Sequence, residues 1–228
     1  MTMLRGLRRH RLPGDDAIRR SMVGLTVVQA LISAINLSPV MNSYYVGQVL
    51  DVNLENTAVV WLSSASLLAI AAVAFINARK DPISNTRTGW MVIGSVFTVL
   101  SIDETASLHE LAGELGAHLV RVSWLPSLYT WVIVVAPFAA IGAVWMLRWF
   151  GRTLGWRTIS GRMAVIAILL WMSVPLFEAV DPALGGPRVL VVLEESFEAA
   201  GEVLMLWALL LHTTRYGSRL ARPTPTPG

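Results

Sequence analysis

Residues 190–213 read LVVLEESFEAAGEVLMLWALLLHT, an apolar stretch as long as a membrane is thick that nevertheless contains four glutamates. A helix needs about 20 mostly apolar residues to cross a bilayer. A charged side chain at the centre of such a helix costs on the order of 3 kcal/mol, so acids there usually have a partner or a function. This stretch therefore predicts a membrane helix that carries a polar site.

Five further apolar stretches of similar length indicate a polytopic membrane protein. They span residues 22–40, 57–78, 89–112, 127–148 and 163–180. Hydrophobic residues make up 54% of the 228 residues and charged residues only 14%, whereas about 25% of the residues in a soluble domain are charged. We therefore predict an all-α integral membrane bundle of six transmembrane helices, formed by residues 21–215.

The basic residues predict how these helices are oriented. Sixteen of the 18 Lys and Arg residues fall in the N-terminal segment, in the second and fourth loops or after the last helix, and only Arg121 and Arg188 fall elsewhere. Because short cytoplasmic loops are enriched in Lys and Arg, we expect a multi-pass protein of the cell membrane with both termini in the cytoplasm.

The two ends of the chain are polar. Residues 1–20 form a basic segment with six arginines, which we expect in the cytoplasm. Residues 216–228 end in PTPTPG, and this Pro/Thr-rich composition predicts a disordered cytoplasmic tail.

Composition also limits the classes of function. The chain has no cysteine, which excludes disulfides, thiolate metal ligands and cysteine nucleophiles. Its sequence pI of about 9.8 is explained by membrane topology rather than by nucleic-acid binding. The expected partners are the lipid bilayer and either a second copy of the chain or another membrane protein.

The four glutamates of the last helix share one side. At 100° per residue, Glu194, Glu195, Glu198 and Glu202 lie within a sector about 100° wide. Counting back from Arg215 at 1.5 Å per residue puts Glu202 about 20 Å from the inner surface. Glu202 is therefore the acid that we expect deepest in the membrane.

A second acidic cluster lies at the outer end of the third predicted helix. Asp103 and Glu110 fall within about 20° of each other on the helix, Glu104 lies on the flank of that face and His109 points elsewhere. Glu178 reaches the same level on the fifth helix. We therefore expect Asp103 and Glu110 to face the bundle interior together with glutamates of the last helix.

Many carboxylates in a medium of low dielectric constant must share protons or bind cations. Carboxylates with imidazole suit Fe, Mn or Zn, and carboxylates alone suit Ca, Mg or Mn. The Glu-x-x-His spacing of di-iron bundles does not occur here. The predicted ligands of a divalent metal are Asp103, Glu104, His109, Glu110, Glu178, Glu194, Glu198 and Glu202.

Milder polar positions and two glycines complete the pattern. Gln29, Ser33 and Asn36 share one face of the first helix, where they either line the same cavity or form hydrogen bonds between helices. Gly113 and Gly201 stand in two similar strings, Glu-Leu-Ala-Gly-Glu and Glu-Ala-Ala-Gly-Glu, and both positions permit close helix approach.

Three functions fit these residues. The first is a metal-dependent membrane enzyme acting on a lipid, a quinone or a small substrate, with the acidic cluster as its metal site. The second is a cation or proton transporter or sensor, for which buried acids are equally natural. The third is a non-catalytic membrane subunit or assembly factor.

Overall fold

The computed structural model describes residues 14–54, 56–109, 111–112, 116 and 130–220, and every regular element in them is helical. An all-α fold is thereby confirmed. A 3₁₀ turn (Pro39–Asn42) follows the first helix and a π-helical turn (Gly151–Gly155) follows the fifth. The α-helices are α1 (Asp15–Asn36), α2 (Tyr44–Leu50), α3 (Ala58–Lys80), α4 (Ser84–Ala106), α5 (Thr130–Phe150), α6 (Ile159–Leu184) and α7 (Arg188–Leu220).

Helix α7 is the centre of the bundle. It packs against α6, α1 and α3, while α4 packs along α3 and α5 packs along α6. Helices α3 and α4 are joined in mid-bundle by a reciprocal pair of hydrogen bonds. Ser64 Oγ donates to Ser101 O (2.8 Å), and Ser101 Oγ donates to Ser64 O (2.9 Å).

Side-chain contacts fix the direction of α1 and α3 relative to α7. Ser33 of α1 contacts Ser196 of α7, whereas Asp15, at the start of α1, contacts Thr214 near the other end of α7. Helix α1 is therefore antiparallel to α7. Helix α3 is parallel to α7, since Asn77 accepts a hydrogen bond from Thr213 and Ser63 contacts α7 eleven residues earlier in that helix.

Aromatic contacts bring α4, α5 and α7 together. The Trp90 ring, near the start of α4, lies 4.7 Å from that of Trp149, near the end of α5. It lies 5.4 Å from the ring of His212 on α7. With the turns after α3 and α5, these contacts define one end of the bundle, which we call the basic end. The opposite end, reached by Asn36, Asp51 and Arg188, is called the acidic end.

Several helix boundaries differ from the predicted ones. Helix α1 starts at Asp15 rather than 22, because Asp15 and Asp16 in its first turn favour the positive end of the helix dipole. Helix α4 ends at Ala106 rather than 112, because Ser107 adopts a left-handed conformation with φ 46°. Helix α7 runs to Leu220, so the tail predicted to begin at 216 starts inside a helix. Residues 221–228 lie outside the described part.

The bundle buries several polar side chains and exposes many large apolar side chains. Buried polar side chains include Asn36, Asn77 and Glu202. Phe138 is 72% exposed and Ile141 is 69% exposed. Exposed apolar residues on this scale are expected where the surface contacts lipid or another apolar partner.

Among the described residues, α1, α3 and residues 159–181 of α6 are long and apolar enough to cross a membrane. Length and composition therefore support three of the six predicted membrane helices. Helix α7 is longer than any of these, but its apolar run is interrupted by glutamates.

Candidate functional site

Glu202 lies in the middle of α7 with only 2% of its surface exposed. Its Oε1 accepts a hydrogen bond from Ser63 Oγ of α3. Ser66, one turn further along α3, lies beside the carboxyl but donates its own hydroxyl to Leu62 O (2.9 Å). No described residue donates a hydrogen bond to Glu202 Oε2. A buried acceptor without a hydrogen bond costs about 1–3 kcal/mol. A proton, a water molecule or a cation bound at this oxygen would remove that cost.

A cavity of about 30 Å³ adjoins this carboxyl group. That volume holds one or two water molecules. Apolar side chains from α1, the segment before α3, α3 itself and α7 complete its wall. Its polar lining comes from three helices: Gln29 and Ser33 of α1, Ser63 of α3, and Glu195, Glu198 and Glu202 of α7.

The acids of α4 divide between two environments. Asp103 accepts hydrogen bonds from the backbone N of His109 (2.8 Å) and pairs with His109 Nδ1 (3.2 Å). Glu104 instead lies close enough to Glu195 and Glu202 to interact with them electrostatically. Helix α4 therefore adds Glu104, rather than Asp103, to the acids around the cavity.

The early end of α4 explains this arrangement. Because Ser107 adopts a left-handed conformation, the chain turns back and brings the backbone N of His109 to the Asp103 carboxylate. Helical angles counted from Asp103 did not reveal that α4 ends before Ser107 or which side of α4 faces α7.

The other predicted site residues fall into two groups. Glu194 is half-buried on α7, beside Glu195. Glu110 lies outside the described residues, and so does the side chain of Glu178. In the part of the chain that the structure describes, no three His, Asp or Glu side chains are grouped so that they could hold one metal ion.

Close packing against α6 positions the glutamate-bearing turn of α7. A Cβ atom at Gly201 would lie 2.7 Å from Trp171 Nε1, which is closer than real Cβ contacts come. The same indole nitrogen donates a hydrogen bond to Glu198 O (3.2 Å). The predicted close approach of helices at Gly201 is thus observed, and it fixes the turn that carries Glu198 and Glu202.

A family model matches residues 21–214 of the chain. The chain belongs to the family described as a domain of unknown function (DUF8692). The matched segment begins within α1 and ends within α7, so all the residues that line the cavity are part of this domain. No curated protein and no solved structure matches the chain.

A hydrogen-bonded network ties α1 to α7 at the acidic end of the domain. The side chain of Asn36, only 1% exposed, donates to Leu50 O (2.7 Å) and accepts from Val52 N (3.2 Å). Arg188 Nε donates to Asn36 O (2.8 Å), and Arg188 Nη2 donates to Asn36 Oδ1 (2.9 Å) and to Asp51 Oδ1 (3.0 Å). The end of α1 is thereby held against the start of α7.

Sequence reasoning missed Ser63, the one side chain that donates to Glu202 among the described residues. Its signal was the presence of three serines, at 63, 64 and 66, in an otherwise apolar helix. Gln29 and Ser33 line the cavity, which is one of the two roles predicted for them. Ser33 also makes a hydrogen bond between helices, the second predicted role, through its 2.8 Å contact with Ser196 Oγ. Asn36 makes hydrogen bonds between helices but does not line the cavity.

Proposed function

We propose that this chain is an integral membrane protein with six spanning helices, both termini in the cytoplasm, and a buried carboxyl site at Glu202 that binds a proton or a small cation. The protein then acts as a transporter or a sensor of that ion. The observation that carries the proposal is Glu202 itself: it is buried, oriented by Ser63 and adjacent to a small polar cavity, and its Oε2 receives no hydrogen bond from any described residue.

The distribution of charge supports the six-span arrangement. Helices α3 to α7 alternate in direction, so the ends of α3 and α5 and the starts of α4 and α6 meet at the basic end. Arg188 lies at the opposite end. An enrichment of basic residues at one end is what the positive-inside rule predicts for the cytoplasmic side. The exposed basic residues at the basic end include Arg19, Arg20, Arg79, Lys80, Arg87, Arg148, Arg152, Arg157 and Arg162.

The composition of the cavity supports a proton or a hard cation as the ligand. Its polar lining offers carboxylate, hydroxyl and amide groups and no basic side chain. Glu104, Glu195 and Glu198 lie close enough to Glu202 to interact with it electrostatically, and Glu194 interacts with Glu195. Like charges in a medium of low dielectric constant are relieved by proton uptake or by a cation. We therefore do not assign the sequence-predicted residues as ligands of a transition metal.

Labelling with dicyclohexylcarbodiimide tests the proposal, because this apolar reagent modifies protonated carboxyl groups within membranes. We expect peptide mass mapping to find Glu202 labelled in native membranes. The labelled fraction should decrease as the pH is raised, since only the protonated carboxyl reacts. Glu202→Gln should abolish this adduct, whereas Asp103→Asn should leave it in place.

Adding Ca²⁺, Mn²⁺, Zn²⁺ or Na⁺ during labelling distinguishes a cation site from a proton site. Protection by one of them identifies a cation site, and protection by none identifies a proton site. Labelling of Glu202 that is absent, or that changes with neither pH nor cation, would rule out the proposed function. For a proton site, chelators should leave the melting temperature of the purified protein unchanged.

A further inference from the structure

The side of Glu202 that faces the basic end is closed by apolar side chains. On α3, Ser63, Ser66, Ile70, Ala74 and Asn77 recur every three or four residues and so share one face. Ser63 and Ser66 lie at the level of Glu202. Ile70 and Ala74, the next positions, are both 0% exposed.

The other helices continue this apolar layer. Met205 and Leu209, the residues one and two turns after Glu202 on α7, are 0% exposed. Phe97 of α4 is 0% exposed and Ala167 of α6 is 0% exposed, and all of these residues belong to one hydrophobic core. We call the set Ile70, Ala74, Phe97, Ala167, Met205 and Leu209 the apolar plug.

The next polar pair lies beyond the plug. Thr213 Oγ1 donates to Asn77 Oδ1 (2.8 Å). Thr213 follows Glu202 by eleven residues, which is about 16 Å along a helix. Proton transfer needs a chain of hydrogen-bonding groups or waters, and the facing sides of α3 and α7 offer no side chain of this kind between the two levels.

Toward the acidic end the situation is the opposite. The cavity extends from Glu202 to Glu195, seven residues or about 10 Å nearer that end. Glu202 is buried, whereas Glu195, Glu198, Gln29 and Ser33 are half-buried. The polar groups therefore become more accessible in one direction only.

We propose that Glu202 exchanges its proton or cation with the acidic end alone and that the apolar plug separates it from the basic end. This inference rests on the proposed function of Glu202. In the state described here the protein is thus not a continuous pore: it either reports the ion concentration on the acidic side or must rearrange α7 before it releases the ion on the other side.

Single cysteines test this inference, because the chain contains none of its own. Gln29→Cys places a thiol in the cavity, and Ala74→Cys places one in the plug. A membrane-impermeant, positively charged methanethiosulfonate is added to right-side-out or to inside-out vesicles. We expect Gln29→Cys to react only in right-side-out vesicles and Ala74→Cys to react in neither.

Reaction with a small maleimide after denaturation gives the total thiol and thereby controls for expression. Reaction of Gln29→Cys in inside-out vesicles, or of Ala74→Cys in either kind, would overturn the inference. The carbodiimide result is independent of both measurements. The loss of carbodiimide labelling with a preserved thiol pattern would therefore reject the function of Glu202 while leaving the one-sided cavity intact.

Proton permeability gives a second measurement should a cysteine variant fail to fold. Proteoliposomes with the wild-type chain should show the same passive proton flux as empty liposomes. Leu209→Ser shortens a plug residue and adds a hydroxyl, so we expect its flux to exceed that of Leu209→Ala, which shortens the residue without a polar group. Wild-type flux well above that of empty liposomes would contradict the inference.

Discussion

Ser63 provides the hydrogen bond that Glu202 receives, and its removal should be measurable. Ser63→Ala removes the donor to Glu202 Oε1. The other oxygen, Oε2, already receives no hydrogen bond from a described residue. An unsatisfied buried acceptor costs about 1–3 kcal/mol. We expect Ser63→Ala to lower the free energy of unfolding in detergent by about that amount, as measured by reversible denaturation.

Two controls separate this hydrogen bond from a general effect of losing a serine. Ser95→Ala, at an exposed position of α4, should change the free energy of unfolding by less than about 0.5 kcal/mol. In a Glu202→Met background, Ser63→Ala should cost much less than in the wild type, because the acceptor is gone. Equal costs in the two backgrounds would show that Ser63 does not act through Glu202.

The candidate site was predictable from the sequence only in part. Glu198 and Glu202 were found because acids in an apolar helix stand out and because helical periodicity puts them on one face. Asp103 was assigned to the interior on the same reasoning, and the structure pairs it with His109, which the helical angles had placed on another side. Periodicity gives the relative angles of residues within one helix and contains no information on which face meets a neighbouring helix.

Helices α6 and α7 meet where a glycine faces a tryptophan. Gly201→Ala would bring a Cβ atom to 2.7 Å from Trp171 Nε1, so the indole must shift and its hydrogen bond to Glu198 O must weaken. Overpacking of this kind costs about 1–3 kcal/mol. We expect a lower melting temperature for Gly201→Ala, measured by differential scanning fluorimetry.

Gly142→Ala is the matched control, because no atom lies within 4 Å of a Cβ atom at Gly142 of α5. Alanine forms helices better than glycine by up to about 1 kcal/mol, so this variant should be neutral or slightly more stable. A melting temperature for Gly201→Ala at or above that of Gly142→Ala would contradict the packing argument.

The helices themselves were easier to predict than their ends. Apolar stretches of membrane length located the six long helices of the described residues, because an apolar environment and helix formation favour the same residues. The ends depend on local hydrogen bonds that hydropathy does not report. The left-handed Ser107 and the network around Asn36 end α4 and α1 several residues before the apolar runs stop.

The topology of the whole molecule is tested by cysteine labelling in intact cells. Ser84, at the basic end, and Ala183, at the acidic end, are both exposed. We expect a membrane-impermeant maleimide to label Ala183→Cys in intact cells and to label Ser84→Cys only after the membrane is permeabilised. Labelling of both from outside would refute the arrangement with both termini in the cytoplasm.

The orientation of the whole molecule stays a prediction, and it depends on a sum over many residues rather than on any single contact. The basic residues after α3 and after α5 come together at one end of the bundle, as their positions in the sequence required. The order in which the helices pack around α7 could not be predicted, since it depends on matched shapes such as that of Gly201 with Trp171.

The packing of α1 has a consequence for biosynthesis. Its main partner, α7, is synthesised after all the other described helices. During translation α1 is therefore made before that neighbour, and Asn36 is made before Arg188. When α7 emerges, the helices that accommodate its glutamates are already present. A ribosome that stops before Arg188 thus releases a chain in which α1 lacks its main partner and Asn36 lacks the hydrogen bonds from Arg188.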